Sequence, residues 1–222
     1  MSTPTKGNVT NNNSNPSGNS FSINHTQNSG NNKLLVLLIT MSSQNSRSFT
    51  GATYGGVAMT QLYQINRGGL IQRMVCYYLE NPPDGNNTVT VNFNGNQFNS
   101  WSFHARSFTD CGGVGSSLRT GGQATPHSGS IIVEGDSLIM MTSCSVNQIL
   151  TQQIPTGTNR TFAAHNTNRQ VATGAISSDA GHLAGGVSLR ATSTFGNVTL
   201  DRVEIKGLSA SASDDEFMIF IE

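Results

Sequence analysis

The chain has 222 residues, 12 Lys and Arg against 12 Asp and Glu, a formal net charge of +0 and only 11% charged residues. That length suits one large domain, or one domain with an arm, and all-β domains often reach it alone. Charge stands well below the roughly 25% of an average globular protein, and Lys and Arg are scattered, which argues against nucleic acid as a partner.

Cys76, Cys111 and Cys144 are odd in number, far apart and without metal spacing, so they read as free thiols of a chain folded in a reducing compartment. The polar N-terminus has no signal-peptide pattern, which points to folding in a cytoplasm. The longest apolar run, Leu34–Ile39, is too short for a bilayer, which takes about 20 residues, so no membrane partner is expected. The Asn-x-Ser/Thr triplets at Asn8, Asn24, Asn86, Asn159 and Asn197 read as chance in an Asn-rich chain.

Residues 1–20 are almost wholly polar and cannot bury enough to fold alone, so they are expected to form an extended arm laid on the domain or on a neighbour. Residues 21–222 are expected to form a single domain. Phe21–Thr26 alternates as a first strand, and Asn28–Asn32 is a turn cluster. Leu34–Met41 is apolar on both faces, so its second face needs cover from the arm or from another subunit. Gly55-Gly56 suits a tight turn or bulge, and Thr53–Gln64 reads as a strand around it. A long strand covers Ile71–Leu79, and Asn81-Pro82-Pro83-Asp84-Gly85 turns the chain. Val89, Val91 and Phe93 then face inward, followed by Trp101, Phe103 and Ala105, with Ser102, His104 and Arg106 on the other face.

Cys111–Ser130 is Gly-rich without a period and is expected to be a long surface loop. Ile131–Val133 and Leu138–Met141 flank Glu134-Gly135-Asp136 as a hairpin. Weaker strands follow, and in Val198–Lys206 a slip in the pattern suggests a bulge near Asp201-Arg202. Phe217–Ile221 is expected to be a last strand, apolar on both faces. No segment has a 3.6-residue period. About a dozen short strands with frequent turns predict an all-β antiparallel sandwich, jelly-roll-like.

No constellation points to catalysis, to a metal or to another cofactor. The histidines, His25, His104, His127, His165 and His182, show no metal spacing. Asp214-Asp215-Glu216 lacks the interleaving of a calcium loop. Glu134 and Asp136 share one turn, and Cys111-Gly-Gly-Val-Gly lacks the Lys and helix of a phosphate cradle.

At TYGGVAMT (Thr53–Thr60), YLENPPDG (Tyr78–Gly85), Val89–Phe93 and Ser107-Phe108, the first half of the chain resembles a β-sandwich module of phage virion proteins and related bacterial surface proteins. Phe108 is followed by Thr109-Asp110-Cys111, without the glycine usual in that module. The resemblance implies a non-enzymatic structural protein of a virion, folded in the host cytoplasm. Its first form is a capsid decoration (cement) protein on the head surface. That protein would bind the major capsid protein or other virion proteins and would associate with itself, a trimer being one option. Candidate capsid or subunit contacts are Lys6, Val9, Asn11 and Asn12 of the arm, with Leu35, Leu37, Phe217 and Ile219. Its second form is a receptor- or carbohydrate-binding module of a tail or head fibre. Candidate contacts to a host surface glycan are Tyr63, Tyr77, Phe98, His104, Arg119 and His127.

Overall fold

The computed structural model describes residues 2–14, 16–42, 48–67, 72–94, 100–122, 127–146, 150–153, 160–168, 171–178, 184–193 and 198–208. Among them there is no helix. The first half of the chain carries β1 (Thr5–Asn12), β2 (Ser20–Gln27), β3 (Leu34–Ser42), β4 (Phe49–Tyr54), β5 (Val57–Ala58), β6 (Thr60–Arg67), β7 (Gln72–Glu80), β8 (Gly85–Phe93) and β9 (Ser100–Thr109). The second half carries β10 (Cys111–Gly122), β11 (His127–Val133), β12 (Leu138–Val146), β13 (Leu150–Gln153), β14 (Arg160–Asn168), β15 (Val171–Ser178), β16 (Gly185–Ser193) and β17 (Val198–Gly207).

These strands form four antiparallel sheets. The first has the order β2-β8-β4-β5 and the second β1-β9-β3-β7-β6. The third is β10-β17-β12-β15-β14 and the fourth β11-β16-β13. The first two sheets come from residues before 110 and the last two from residues after it, so each half of the chain is its own sandwich.

β3 joins the two halves. Its side chains alternate between faces, as a pleated strand requires. Leu35, Leu37, Ile39 and Met41 pack with Val75, Tyr77, Val89, Val91, Phe93, Trp101 and Phe103 between the first and second sheets. Leu34, Val36 and Leu38 pack with Cys76, Phe108, Leu138, Met140, Val203 and Ile205 between the second and third. Thr40 closes that second seam with a 2.5 Å hydrogen bond to Thr142. The cover that the doubly apolar strand demands is therefore supplied by the chain's own second half. Leu35 and Leu37, expected as capsid or subunit contacts, are fully buried in the core.

Residues 5–12, expected as an arm laid on the domain or on a neighbour, lie on the chain's own domain as the edge strand β1, paired to β9 from Thr5↔Thr109 to Asn12↔Phe103. A polar strand can occupy an edge because the ladder asks only for its main-chain groups. Ser2 extends this contact with a bridge to Leu208, so the start of the chain also touches the end of β17.

Cys111–Ser130 is not a loop; β10 and the start of β11 run through it. Its glycines allow an approach that a side chain would prevent. A Cβ on Gly112 would lie 2.6 Å from the Gly207 carbonyl oxygen, and one on Gly115 would lie 2.2 Å from the Glu204 carboxylate. The β10–β17 register shifts between Cys111 and Val114 and again between Val114 and Ser117, with Gly113 at φ 90°. The bulges thus lie on β10. β17 itself pairs with β12 without a break from Val198 to Ile205, so the expected bulge near Asp201-Arg202 is absent from that pairing. The slip in the pattern has another cause: Arg202 and Glu204 face away from Val203 and Ile205 yet are buried too. The stretch Thr53–Gln64 also divides, because Gly55 and Gly56 at φ 55° and 82° close a two-residue hairpin between β4 and β5.

Candidate functional site

Residues of the Thr53–Thr60 and Tyr78–Gly85 stretches meet at one end of the first sandwich. The Tyr54 hydroxyl accepts the Gln27 N–H at 3.2 Å and donates to the Gly85 carbonyl oxygen at 2.8 Å; the His25 carbonyl oxygen is also in reach at 3.2 Å. Tyr54 is fully buried, and Gly85 closes the Asn-Pro-Pro-Asp-Gly turn at φ 82°. The same turn is tied to the start of β3. Asn81 N–H donates to the Lys33 carbonyl oxygen at 2.8 Å, and Lys33 pairs with Asp84. Asn87 Nδ2 donates to the Asp84 carbonyl oxygen at 3.1 Å. The Tyr and Asn-Pro-Pro-Asp-Gly motifs are therefore two parts of one clasp joining β2, β3, β4 and β8.

A second polar group lies under β1. His25 on β2 is 1% exposed and Ser107 on β9 is 0%. The Ser107 hydroxyl donates to the Thr26 carbonyl oxygen at 3.2 Å and accepts His25 Nε2–H at 2.6 Å. His25 Nδ1 then accepts the Thr10 hydroxyl at 2.8 Å. On the opposite face of the same sheet, His104 Nδ1 meets Asn11 Oδ1 at 2.7 Å. Burial pushes the His25 imidazole down to about 4. Burial, with the charges of Arg106 and His25, pushes His104 down to about 3. Both rings are neutral at pH 7. The serine–histidine pair has the atoms of a nucleophile and a base, but both side chains are sealed from solvent and the ring's other nitrogen meets a hydroxyl, not a carboxylate. This geometry positions β1.

An open cleft of about 270 Å³ lies where the two halves meet at the surface, lined by Asn32, Lys33, Glu80, Asn81, Cys111 and Leu208 with the first glycines of β10. The Cys111 thiol donates to the Asn32 carbonyl oxygen at 3.0 Å, and burial raises its pKa. Cys76 and Cys111 are free and buried.

Glu204, which sequence reasoning missed, is 1% exposed. It accepts Ser116 N–H at 2.9 Å, Glu134 N–H at 2.6 Å and the Ser137 hydroxyl at 2.7 Å. It thereby ties β10 and the β11–β12 turn to β17. Arg202 Nη2 donates to the Ser130 carbonyl oxygen at 2.9 Å from the same face. Glu134, which shares a turn with Asp136, forms a 2.6 Å ion pair with Lys206. The signal in the sequence was Gly115, which leaves the room that the Glu204 carboxylate fills.

The residues proposed as glycan contacts do not form a surface. Tyr77 is 1% exposed, and burial pushes its phenol up to about 12. Tyr63 packs against the apolar cluster between the second and third sheets with its hydroxyl oxygen buried. His104 is 0% exposed beside β1, with β14 and β15 packed over its strand. Arg119 and His127 lie on β10 and β11, with side chains outside the described residues, and Phe98 lies outside them altogether. Of the expected capsid or subunit contacts, Lys6 is exposed and Val9 half-buried. Asn11 is exposed but spends its amide oxygen on His104, and Asn12 accepts the Ser14 N–H. Phe217 and Ile219 lie outside the described residues, as does the Asp214-Asp215-Glu216 cluster.

No group of three or more His, Cys, Asp or Glu able to hold a metal ion occurs among the described residues. Comparison with family models, with curated proteins and with solved structures finds no match for this chain.

Proposed function

We propose that this chain is a non-enzymatic structural protein of a phage particle, a decoration protein that binds the head shell as a homo-oligomer. One observation carries the reading. Tyr54, Asn81, Asp84 and Gly85, from the two motifs that resemble the phage virion module, converge on one clasp, so the feature behind the resemblance is a way of closing a sandwich end. A module whose distinctive residues brace the fold suits a protein whose work is to be a stable part of a shell. The stack of four sheets and the doubly buried β3 support the same use. The exposed residues of the polar edge strand β1, Lys6 first among them, are the proposed contacts with the shell, and an open edge is where a neighbouring strand can add.

Removing residues 1–19 is a poor test, because the deletion also strips Thr10 and Asn11 from two buried histidines. Immunogold labelling of intact particles with antibody to this chain is the better one. Gold spread over the head is the expected result. Gold confined to the tail tip makes the chain an adhesin, and particles without gold overturn the virion reading.

A further inference from the structure

Strand β1 is attached differently from every strand beside it. Neither apolar cluster includes a β1 residue. What it adds to its ladder with β9 is polar. Consecutive residues Thr10 and Asn11 point to opposite faces of the second sheet, and each meets a buried histidine, His25 below and His104 above. Asn8 adds two exposed hydrogen bonds to Asn28 and Thr26. We infer that β1 is an acid-sensitive strap, held at neutral pH by two uncharged imidazoles and released from β9 when they take up protons, while the rest of the stack stays folded. The inference stands on this geometry and holds whether or not the virion reading is right.

The surroundings make a buried imidazolium costly. The strands packed around the two rings are β1, β2, β3, β4, β8, β9, β14 and β15. None of them carries Asp or Glu. Their other titratable or charged residues are Lys6 on β1, Tyr54 on β4, Arg106 on β9, and Arg160 and His165 on β14. Arg106 stands two residues from His104 and opposes its charging. His104 Nε2 is buried with no hydrogen-bond partner among the described residues, so a proton placed there has no acceptor. Thr10 can rotate its hydroxyl to accept from a charged His25, but no anion faces the ring. A charge buried without a partner is relieved by exposing it to water.

The sign follows from linkage. Both imidazoles bind protons less readily when buried than when exposed, with values of about 4 and about 3 against 6.5. Above pH 6.5 neither state is charged and the strap holds fully. As pH falls below 6.5, the released state gains protons and the bound state does not, so attachment weakens down to about pH 4 and below.

Amide hydrogen exchange of the full chain, corrected for the intrinsic pH dependence of exchange, tests this, with Trp101 fluorescence reporting the first sandwich. Protection of residues 5–12 is expected to fall at least about tenfold between pH 7 and pH 5 with Trp101 emission unchanged. Protection that stays level to pH 4, or that falls only together with Trp101 emission, overturns the inference. In a His25→Gln, His104→Gln double variant the strap should lose its pH dependence. Should that variant not fold, NMR titration of the two imidazoles in the wild-type chain decides. Proton uptake coincident with loss of β1 protection supports the strap; rings that titrate near 6.5 with β1 in place refute it.

Discussion

β1 and β3 belong to one sheet, separated only by β9, and are held by opposite means. β3 is apolar on both faces and meets an apolar layer on each. β1 is polar but for Val9 and meets hydroxyls, an amide and two imidazoles. Burial of β3 joins the two sandwiches and does not depend on the protonation state of any group in its clusters. Attachment of β1 depends on hydrogen bonds and on protonation state. One sheet thus has a part that fixes the architecture and a part that conditions can detach.

The largest effect should come from the first of these. Leu37→Ala removes a fully buried side chain from the cluster between the first and second sheets and leaves a cavity. A loss of about 2–5 kcal/mol is expected in denaturant unfolding. If the variant loses less than about 1 kcal/mol, β3 is not the centre of the stack.

Glu204→Ala should rank next. It strands the Ser116 and Glu134 N–H groups and the Ser137 hydroxyl in a buried position, for a loss of about 2–4 kcal/mol. The effect should appear in the second half of the chain, as faster exchange in β10 and β11 with β8 unaffected. Equal loosening of both halves would show that the two sandwiches unfold as one.

Tyr54→Phe should rank third. It removes one hydroxyl from the clasp and leaves the Gln27 N–H and the Gly85 carbonyl oxygen without their partner. About 1–2 kcal/mol is expected, read as a shift in thermal midpoint. A neutral substitution would mean that the motif residues do not brace the sandwich, and would remove the observation on which the proposed function rests.

The first half of the fold was legible because its strands alternate cleanly. Val89, Val91 and Phe93 declare one inward face, and Trp101, Phe103 and Ala105 another. Two features hid the rest. A strand buried on both faces looks the same whether its cover is another protein or a later part of the chain, so the sequence alone offers Leu35 and Leu37 as capsid or subunit contacts. A strand rich in glycine looks like a loop, because the reason for the glycine is a close approach that only the folded chain has, as at Gly115 against Glu204. The same gap explains the candidate site. His104 sits on the face opposite Trp101, as the alternation predicts. The sequence cannot say that β1 pairs beside that residue and that β14 and β15 lie over its face, which turns an outward histidine into a buried one. Composition shows that the polar N-terminus buries little and must lie on something, but not that it pairs with β9 as a strand.

Hydrogen exchange across the sheet at pH 7 tests the contrast between β1 and β3 most directly. The account predicts that β3 amides exchange only through global unfolding, while β1 amides exchange through a smaller opening that leaves β3 protected. Equal opening free energies for the two strands, unchanged by low denaturant, would contradict it, because β1 would then be as much a part of the core as β3.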